Sequence, residues 1–367
     1  MSISQNVLQY FYQLPILLQI VWLCSVGLTL LIILFLFYLY YLRSYLRGEE
    51  SVLKELFTQY ETNLITYLYS GDIDVEISSE QKKISDKMKS CAKNTFKRNI
   101  LISVLSKLKN DVSGEIATAI NLLYIKTGLI NYSINKLESK KWEIIALGIK
   151  ELTQFEVKTA YNEINKYQNH PKHEVRNQVQ LYYVSLFQFK GLEFLNNLKT
   201  PISEWNQIQL LEILQKFDDQ EITDISPWLK SDNDSVVLFA LKLAKIYNQF
   251  QVIEILLELL NHINKDIRIC AIEILGYFHV KEIKEIIKPN FFDRSNEEQI
   301  SFFKIFEEVI DAEDESFIIE NTSNANFEIR FLAFKLLKMI DVNKWHAIKL
   351  NTTEIDNERI FNYLEAM

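Results

Sequence analysis

The chain has 367 residues, 48% of them hydrophobic, and a formal net charge of −8, enough apolar material for an extended buried core. Eight glycines and five prolines are too few for a turn-rich β protein or a disordered chain, so the composition points to an all-α fold. Net acidity disfavours a nucleic-acid binder, which needs a basic tract to meet phosphates. Three cysteines, Cys24, Cys91 and Cys270, do not make a disulfide framework.

Taken in order, residues 1–15 read as an N-terminal tail and 16–42 as a transmembrane helix. Residues 1–42 carry no charged side chain, and the apolar run from Ile16 to Leu42 is broken only by Gln19, Ser25 and Thr29. As a helix it spans about 40 Å, more than the roughly 30 Å hydrocarbon core. Trp22 near one end and Tyr38, Tyr40, Tyr41 and Tyr45 at the other are placed as an interfacial belt would be. A cleaved signal peptide is the competing reading. It would want a basic leader, a shorter apolar run and a small-residue cleavage site, and none of these is present. Arg43, Arg47 and Lys54 follow the run and nothing basic precedes it, so the positive-inside rule places the C-terminal bulk in the cytoplasm of a single-pass inner-membrane protein.

Residues 43–110 read as a juxtamembrane helical region. Its first helix ends near Tyr69, a polar linker covers 72–79, and a second helix covers 80–109 with nine Lys or Arg against Glu80 and Asp86. A basic amphipathic helix beside an anchor can lie on anionic lipid. The plainer reading is a solvated face on a helix docked against its neighbours.

From residue 111 to 341 one pattern returns. Asp266-Ile267-Arg268 is followed by Ala271 and Leu275, which share one helical stripe with Ile267. Glu328-Ile329-Arg330 with Ala333 and Leu337 repeats it. Glu174-Val175-Arg176 with Val179 and Tyr183 is a looser copy, and Ser235-Val236-Val237 with Ala240 and Ala244 lacks the arginine. These anchors, at 175, 236, 267 and 329, are separated by 61, 31 and 62 residues, which implies units of 31. Filling the register gives anchors at Ile144, Val175, Asn206, Val236, Ile267, Glu298 and Ile329, with apolar residues or glycine four and eight positions on throughout. Phe302, Phe303 and Phe306 put bulk where alanine normally allows close helix approach, so the curvature should change there. Ser226-Pro227 and Thr200-Pro201 read as helix starts between anchors. Residues 342–367 read as a C-terminal helical cap, with Thr352 or Thr353 opening the last helix.

The polar turn followed by acidic-apolar-Arg-x-x-Ala-x-x-x-Leu resembles the second helix of a HEAT repeat, and the short period resembles bacterial HEAT-like proteins. The resemblance implies an α-solenoid of about seven helix-pair units of ~31 residues, whose terminal members are atypical. It implies that Arg176, Arg268 and Arg330 form a structural ladder between units. It also implies a concave face, with Lys242, Lys245, Glu273, Lys304, Glu307, Lys335 and Lys338 as candidate lining.

No phosphate-cradling glycine loop, HExxH, CxxC or Gly-x-Ser-x-Gly motif occurs, so no catalytic, cofactor or metal residues are assigned and the chain is read as a non-enzyme. His170 and His173 flank Pro171, which precludes a regular helical metal pair. Beyond residue 200 there are 30 acidic and 17 basic side chains. Glu307, Glu308, Asp311, Glu313, Asp314, Glu315 and Glu320 form the candidate partner-binding tract, its alternative being a solubilising edge. The expected function is a membrane-anchored HEAT-repeat scaffold that binds a protein partner. The alternative is an accessory subunit of a membrane enzyme or transporter, such as an envelope polysaccharide synthase. A remote third reading is a HEAT-like lyase.

Overall fold

The structure, a computed structural model, describes residues 15–70, 78–217, 222–351 and 354–366, with backbone alone at 17 and 44–51. The expected tail (but for Pro15), most of the 72–79 linker and Thr352–Thr353 lie outside the described residues. The described residues are helical, with no strand among them. The chain divides into two compact units, one of residues up to Lys136 with Gln154–Glu156, the other of Leu137–Thr153 and Val157 onward.

In the first unit α1 runs unbroken from Ile16 to Tyr69. Within it Leu18–Arg43 is long and apolar enough to cross a membrane, and none of that stretch is buried against protein. The other end of α1 packs through Tyr60, Leu64 and Tyr67, which are buried. Helices α2 (Ser79–Ala92) and α3 (Thr95–Asp111) both pack against it. The expected single helix over 80–109 is therefore two. Asn94 leaves helical geometry and its side chain caps α3 by accepting from the Lys97 amide at 3.1 Å. Arg98 reaches back to the Ala92 carbonyl at 3.1 Å and so closes the end of α2. Ser78 and Gln81 form a reciprocal capping box at the start of α2. Helices α4 (Glu115–Lys126) and α5 (Leu129–Leu137) follow, with Ile120, Leu123 and Tyr124 fully buried.

In the second unit a family of helices opens at near-constant spacing. These are α6 (Trp142–Gln154), α8 (His173–Phe187), α9 (Glu204–Leu214), α11 (Asp234–Ile246), α13 (Lys265–Tyr277), α15 (Asn296–Phe306) and α17 (Phe327–Ile340). Their starts are 31, 31, 30, 31, 31 and 31 residues apart, and each anchor of the sequence register is the third residue of its helix. Anchors and their fourth- and eighth-position partners are buried throughout, with one exception. Ile144 is exposed, and α6 instead buries Ile145, Ile149 and Leu152, a stripe rotated by one residue. Helices α8 and α9, α11 and α13, α13 and α15, and α15 and α17 pack pairwise.

Shorter elements lie between: α7 (Tyr161–Asn165), α10 (Ser226–Leu229), α12 (Ile253–Leu259), α14 (Ile283–Ile287) and α16 (Glu315–Asn321). Ser226 is the first residue of α10 rather than its cap, and its amide is held by Asp224 at 2.9 Å. Thr200-Pro201 starts no helix. The chain stays extended to Ser203, which caps α9 by accepting from the Asn206 amide. The space of the expected first helix is taken by a ten-residue 3-10 run, Gln188–Asn197. Runs of that length are uncommon because 3-10 hydrogen bonds are poorly aligned. Helices α18 (Val342–Asn351) and α19 (Ile355–Ala366) close the unit over Trp345 and Phe361.

The aromatic bulk of α15 is accommodated from the other side. Phe302, Phe303 and Phe306 form one buried cluster with Phe291 and the ring of Phe317. The small residue that admits close approach is Gly276 on α13. A Cβ there would lie 2.3 Å from the Cβ of Ile305.

Candidate functional site

The three ladder arginines make the same contacts. Arg176 donates to the carbonyls of His170 and Pro171 at 2.7 and 2.9 Å. Arg268 donates to those of His262 and Ile263 at 2.8 and 3.0 Å, and Arg330 to those of Asn324 and Ala325 at 2.8 and 3.1 Å. Each guanidinium therefore fastens the turn that enters its own helix. Arg268 alone adds a bidentate pair to the next helix of the family, with Glu298 at 2.7 and 3.0 Å. Arg294 at 3.3 Å and the Ser295 hydroxyl at 2.8 Å complete the surroundings of Glu298. That carboxylate is 1% exposed. Burial pushes its pKa up, but the hydrogen bonds from Arg268 and Ser295 outweigh this and hold it at about 2.

A second recurrent device was not read from the sequence. Six positions before each arginine, and at the matching position of α11, a side chain accepts a backbone N–H two residues on. His170 accepts from Lys172, Ser231 from Asn233, His262 from Asn264 and Asn324 from Asn326. Asn233, Asn264 and Asn326 then cap α11, α13 and α17. His170 and His262 are thus turn acceptors. The signal was available as a His, Ser or Asn five residues before Val175, Val236, Ile267 and Ile329.

The acidic tract is mostly engaged within the fold. Asp314 is 2% exposed and sits between the ammonium groups of Lys284 and Lys288. Asp311 pairs with Lys284 as well. The lysine pays a burial penalty, but the two carboxylates outweigh it and raise its pKa. Glu307 pairs with Lys335, Glu308 with His279 and Glu315 with Lys344. Glu313 and Glu320 are exposed, with no ion-pair partner among the described residues. Asp314 is therefore closed to any partner, and most of the tract's charge is matched internally. Of the residues read as concave lining, Lys242 donates to Gln207 at 2.8 Å and Lys304 pairs with Glu328 at 2.9 Å. Glu273 is exposed.

In the first unit the basic helices present a different balance. Lys82, Lys83, Lys87, Lys89, Lys93 and Lys97 are exposed, with no ion pair among the described residues. Phe96 is exposed among them. Lys107 and Lys109 are tied instead to Glu61 and Glu156.

A cleft of about 560 Å³ lies in the second unit beside the 3-10 run. Its wall holds Tyr183 and Phe194, both buried, with Tyr161 and Phe187 nearer the opening. Tyr161 meets Tyr183 at 5.4 Å and stands edge-on to Phe187 at 5.5 Å between ring centroids. Lys158, Lys190 and Glu193 supply charge, and Asn165, Gln168, Asn196 and Asn197 supply carboxamides. Two backbone features build it. Gln188 ends α8 at φ 56° and ψ −135°, a positive-φ turn made without glycine. Gly191 passes so close to α8 that a Cβ would lie 2.2 Å from the Tyr183 carbonyl oxygen. Among the described residues no group of three or more His, Cys, Asp or Glu is placed to hold a metal.

No protein-family profile matches the chain. No curated protein matches it in sequence. Among solved structures it is similar to two engineered proteins from a structural genomics consortium. One is 13% identical with a TM-score of 0.32, covering 79% of this chain and 91% of the other. The second is 12% identical with a TM-score of 0.27, covering 70% and 96%.

Proposed function

We propose that this is a membrane-anchored, non-catalytic scaffold whose second unit is a HEAT-like α-solenoid docking a protein partner on the cytoplasmic side. The observation that carries this reading is the seven-helix family opening every 30 or 31 residues, in a chain that also holds one unburied, membrane-length helix. A helix at fixed period buries its stripe only by stacking on the next copy. The shared arginine-to-turn contacts of Arg176, Arg268 and Arg330 support the same repeat, with Arg268–Glu298 as a rung between copies. Of the two ends of the apolar run, only the far one is followed by arginine, at 43 and 47, which supports a cytoplasmic location for the residues beyond it.

The unpaired lysine face of α2 and α3 adds a lipid contact to this picture. Basic side chains near an anionic leaflet each contribute on the order of 1 kcal/mol. The test of the scaffold reading is crosslinking in intact membranes with recovery of the full chain. A protein crosslinked to the second unit in stoichiometric yield is expected. Recovery of the chain alone, under conditions where a known membrane complex crosslinks, contradicts it. If the captured protein is a polytopic synthase or transporter, the scaffold is an accessory subunit of that enzyme.

A further inference from the structure

We infer that the cleft beside Gln188–Asn197 is a binding site for an extended peptide segment that carries an apolar side chain next to an acidic one. The inference rests on the scaffold reading and names the chemistry of what the scaffold holds.

Three carboxamides at the cleft are each tied to the fold by one end. Asn165 accepts from the Tyr183 hydroxyl at 2.7 Å through Oδ1. Asn196 accepts from the Trp228 indole N–H at 2.7 Å through Oδ1. Gln168 donates from Nε2 to the Phe194 carbonyl at 3.3 Å. That leaves Asn165 Nδ2 and Asn196 Nδ2 as donors, and Gln168 Oε1 as an acceptor, without partners among the described residues. A carboxamide held at one end has lost its rotational freedom before a ligand arrives, so the remaining hydrogen bond costs little ordering. Two donors and one acceptor are complementary in kind to the C=O and N–H groups of a peptide backbone. Main-chain hydrogen bonds of this kind supply affinity, and side-chain pockets supply selection.

The pocket is the ring-lined wall. Tyr183 and Phe194 are buried at 3% and 5% exposure, and Tyr161 already lies against Tyr183, so the apolar surface left to a ligand side chain is that of Tyr161, 43% exposed, beside Phe187. The exposed Tyr161 ring could also meet a sugar, so it is the excess of lysine over carboxylate at the cleft that favours an acidic peptide over a neutral glycan. Lys158 and Lys190 outnumber Glu193 at the cleft, which selects an acidic neighbour in the ligand. The site also falls where the second unit departs from its own pattern, at the long 3-10 run, the positive-φ Gln188 and the close approach of Gly191.

The test uses the full chain in lipid nanodiscs, panned against a phage-displayed random peptide library, with a glycan array in parallel. Enriched peptides are synthesised and their affinity is measured for wild type, Tyr161→Ala and Lys190→Glu. Lys190 is exposed, so its reversal leaves the fold intact, and matching thermal midpoints verify this. The inference expects peptides with an apolar residue beside Asp or Glu, and at least about tenfold weaker binding to each variant. No enrichment over empty nanodiscs overturns it, as does equal binding by wild type and both variants. Glycans retained by wild type and lost by the variants overturn the peptide assignment. If the variants still crosslink to the membrane partner as wild type does, the cleft assignment falls and the scaffold reading stands. If peptides bind the cleft but no partner is crosslinked, the scaffold reading falls instead.

Discussion

Removing the Glu298 carboxylate is the sharpest perturbation of the second unit. Glu298 lies at the start of α15 and receives Arg268, Arg294 and Ser295, while only 1% of it is exposed. Glu298→Ala strips a buried anion from two guanidinium groups, which generally costs about 3–5 kcal/mol. Both arginines keep carbonyl partners, Arg268 on His262 and Ile263 and Arg294 on Leu260, so the low end applies here, about 3 kcal/mol. Read by amide hydrogen exchange over 265–306, that is an acceleration of roughly a hundredfold where exchange follows local opening. The pH dependence has a definite sign. The folded-state pKa, about 2, lies below the ordinary carboxylate value of 4.5. The group's stabilisation is therefore complete above the ordinary value and is lost as pH falls from there through the folded value. Glu298→Gln should remove that acid dependence and be destabilised already at neutral pH. Glu297→Ala breaks only the exposed pair with Lys265, which solvent screens, and should change exchange little. Equal acceleration by Glu297→Ala and Glu298→Ala would show that the buried carboxylate holds nothing the exposed one does not.

Other expectations come from the packing. Ala271→Phe overfills a fully buried position on α13 and should cost roughly 1–3 kcal/mol, whereas Glu273→Phe on the exposed face should cost little; equal shifts in thermal midpoint contradict the register. Gly191→Ala places a methyl group against the Tyr183 carbonyl and forces the 3-10 run away from α8, so exchange over 183–197 should accelerate while that over α13 stays unchanged. Replacing Lys93 and Lys97 by Gln should slow nothing in the second unit but weaken protection of the α2–α3 corner by nanodiscs containing anionic lipid; equal protection in neutral nanodiscs removes the lipid contact.

The helix register was legible because it is carried by short-range information. An apolar or polar anchor in the first turn, with apolar residues four and eight positions on, needs no knowledge of partners. The places where it failed have physical causes that lie outside such a stripe. Asn94 splits 80–109 by capping with its own side chain, in a stretch whose basic and apolar pattern continues across the break. Gln188 turns at positive φ without glycine, and the single Gly191 inside the 3-10 run does not announce a run of that length. Glu156, Asn248 and His279 also take positive φ without glycine.

Charge was the least legible property of the candidate site. Counting Glu307 to Glu320 along the chain gives an acidic tract, but the cations that answer it come from 26 to 30 residues away: Lys284, Lys288, Lys335 and Lys344. These residues meet across different helices, so local charge overstates the surface field. The cleft was invisible for a related reason. Its rings and carboxamides come from Lys158 to Asn197, over which the sequence shows only a weak copy of the repeat. What marked the site was its departure from the pattern, which becomes visible only once Gly191 is seen against Tyr183.

Membrane fractionation of the full chain with a reporter fused after Met367, combined with mass determination of its N-terminus, tests the anchor and its orientation together. The protein should resist carbonate extraction, retain the Leu18–Arg43 helix, and support green fluorescent protein fluorescence but no alkaline phosphatase activity. A mature chain that begins beyond Leu42 and appears in a soluble exported fraction would contradict both the anchor and the orientation.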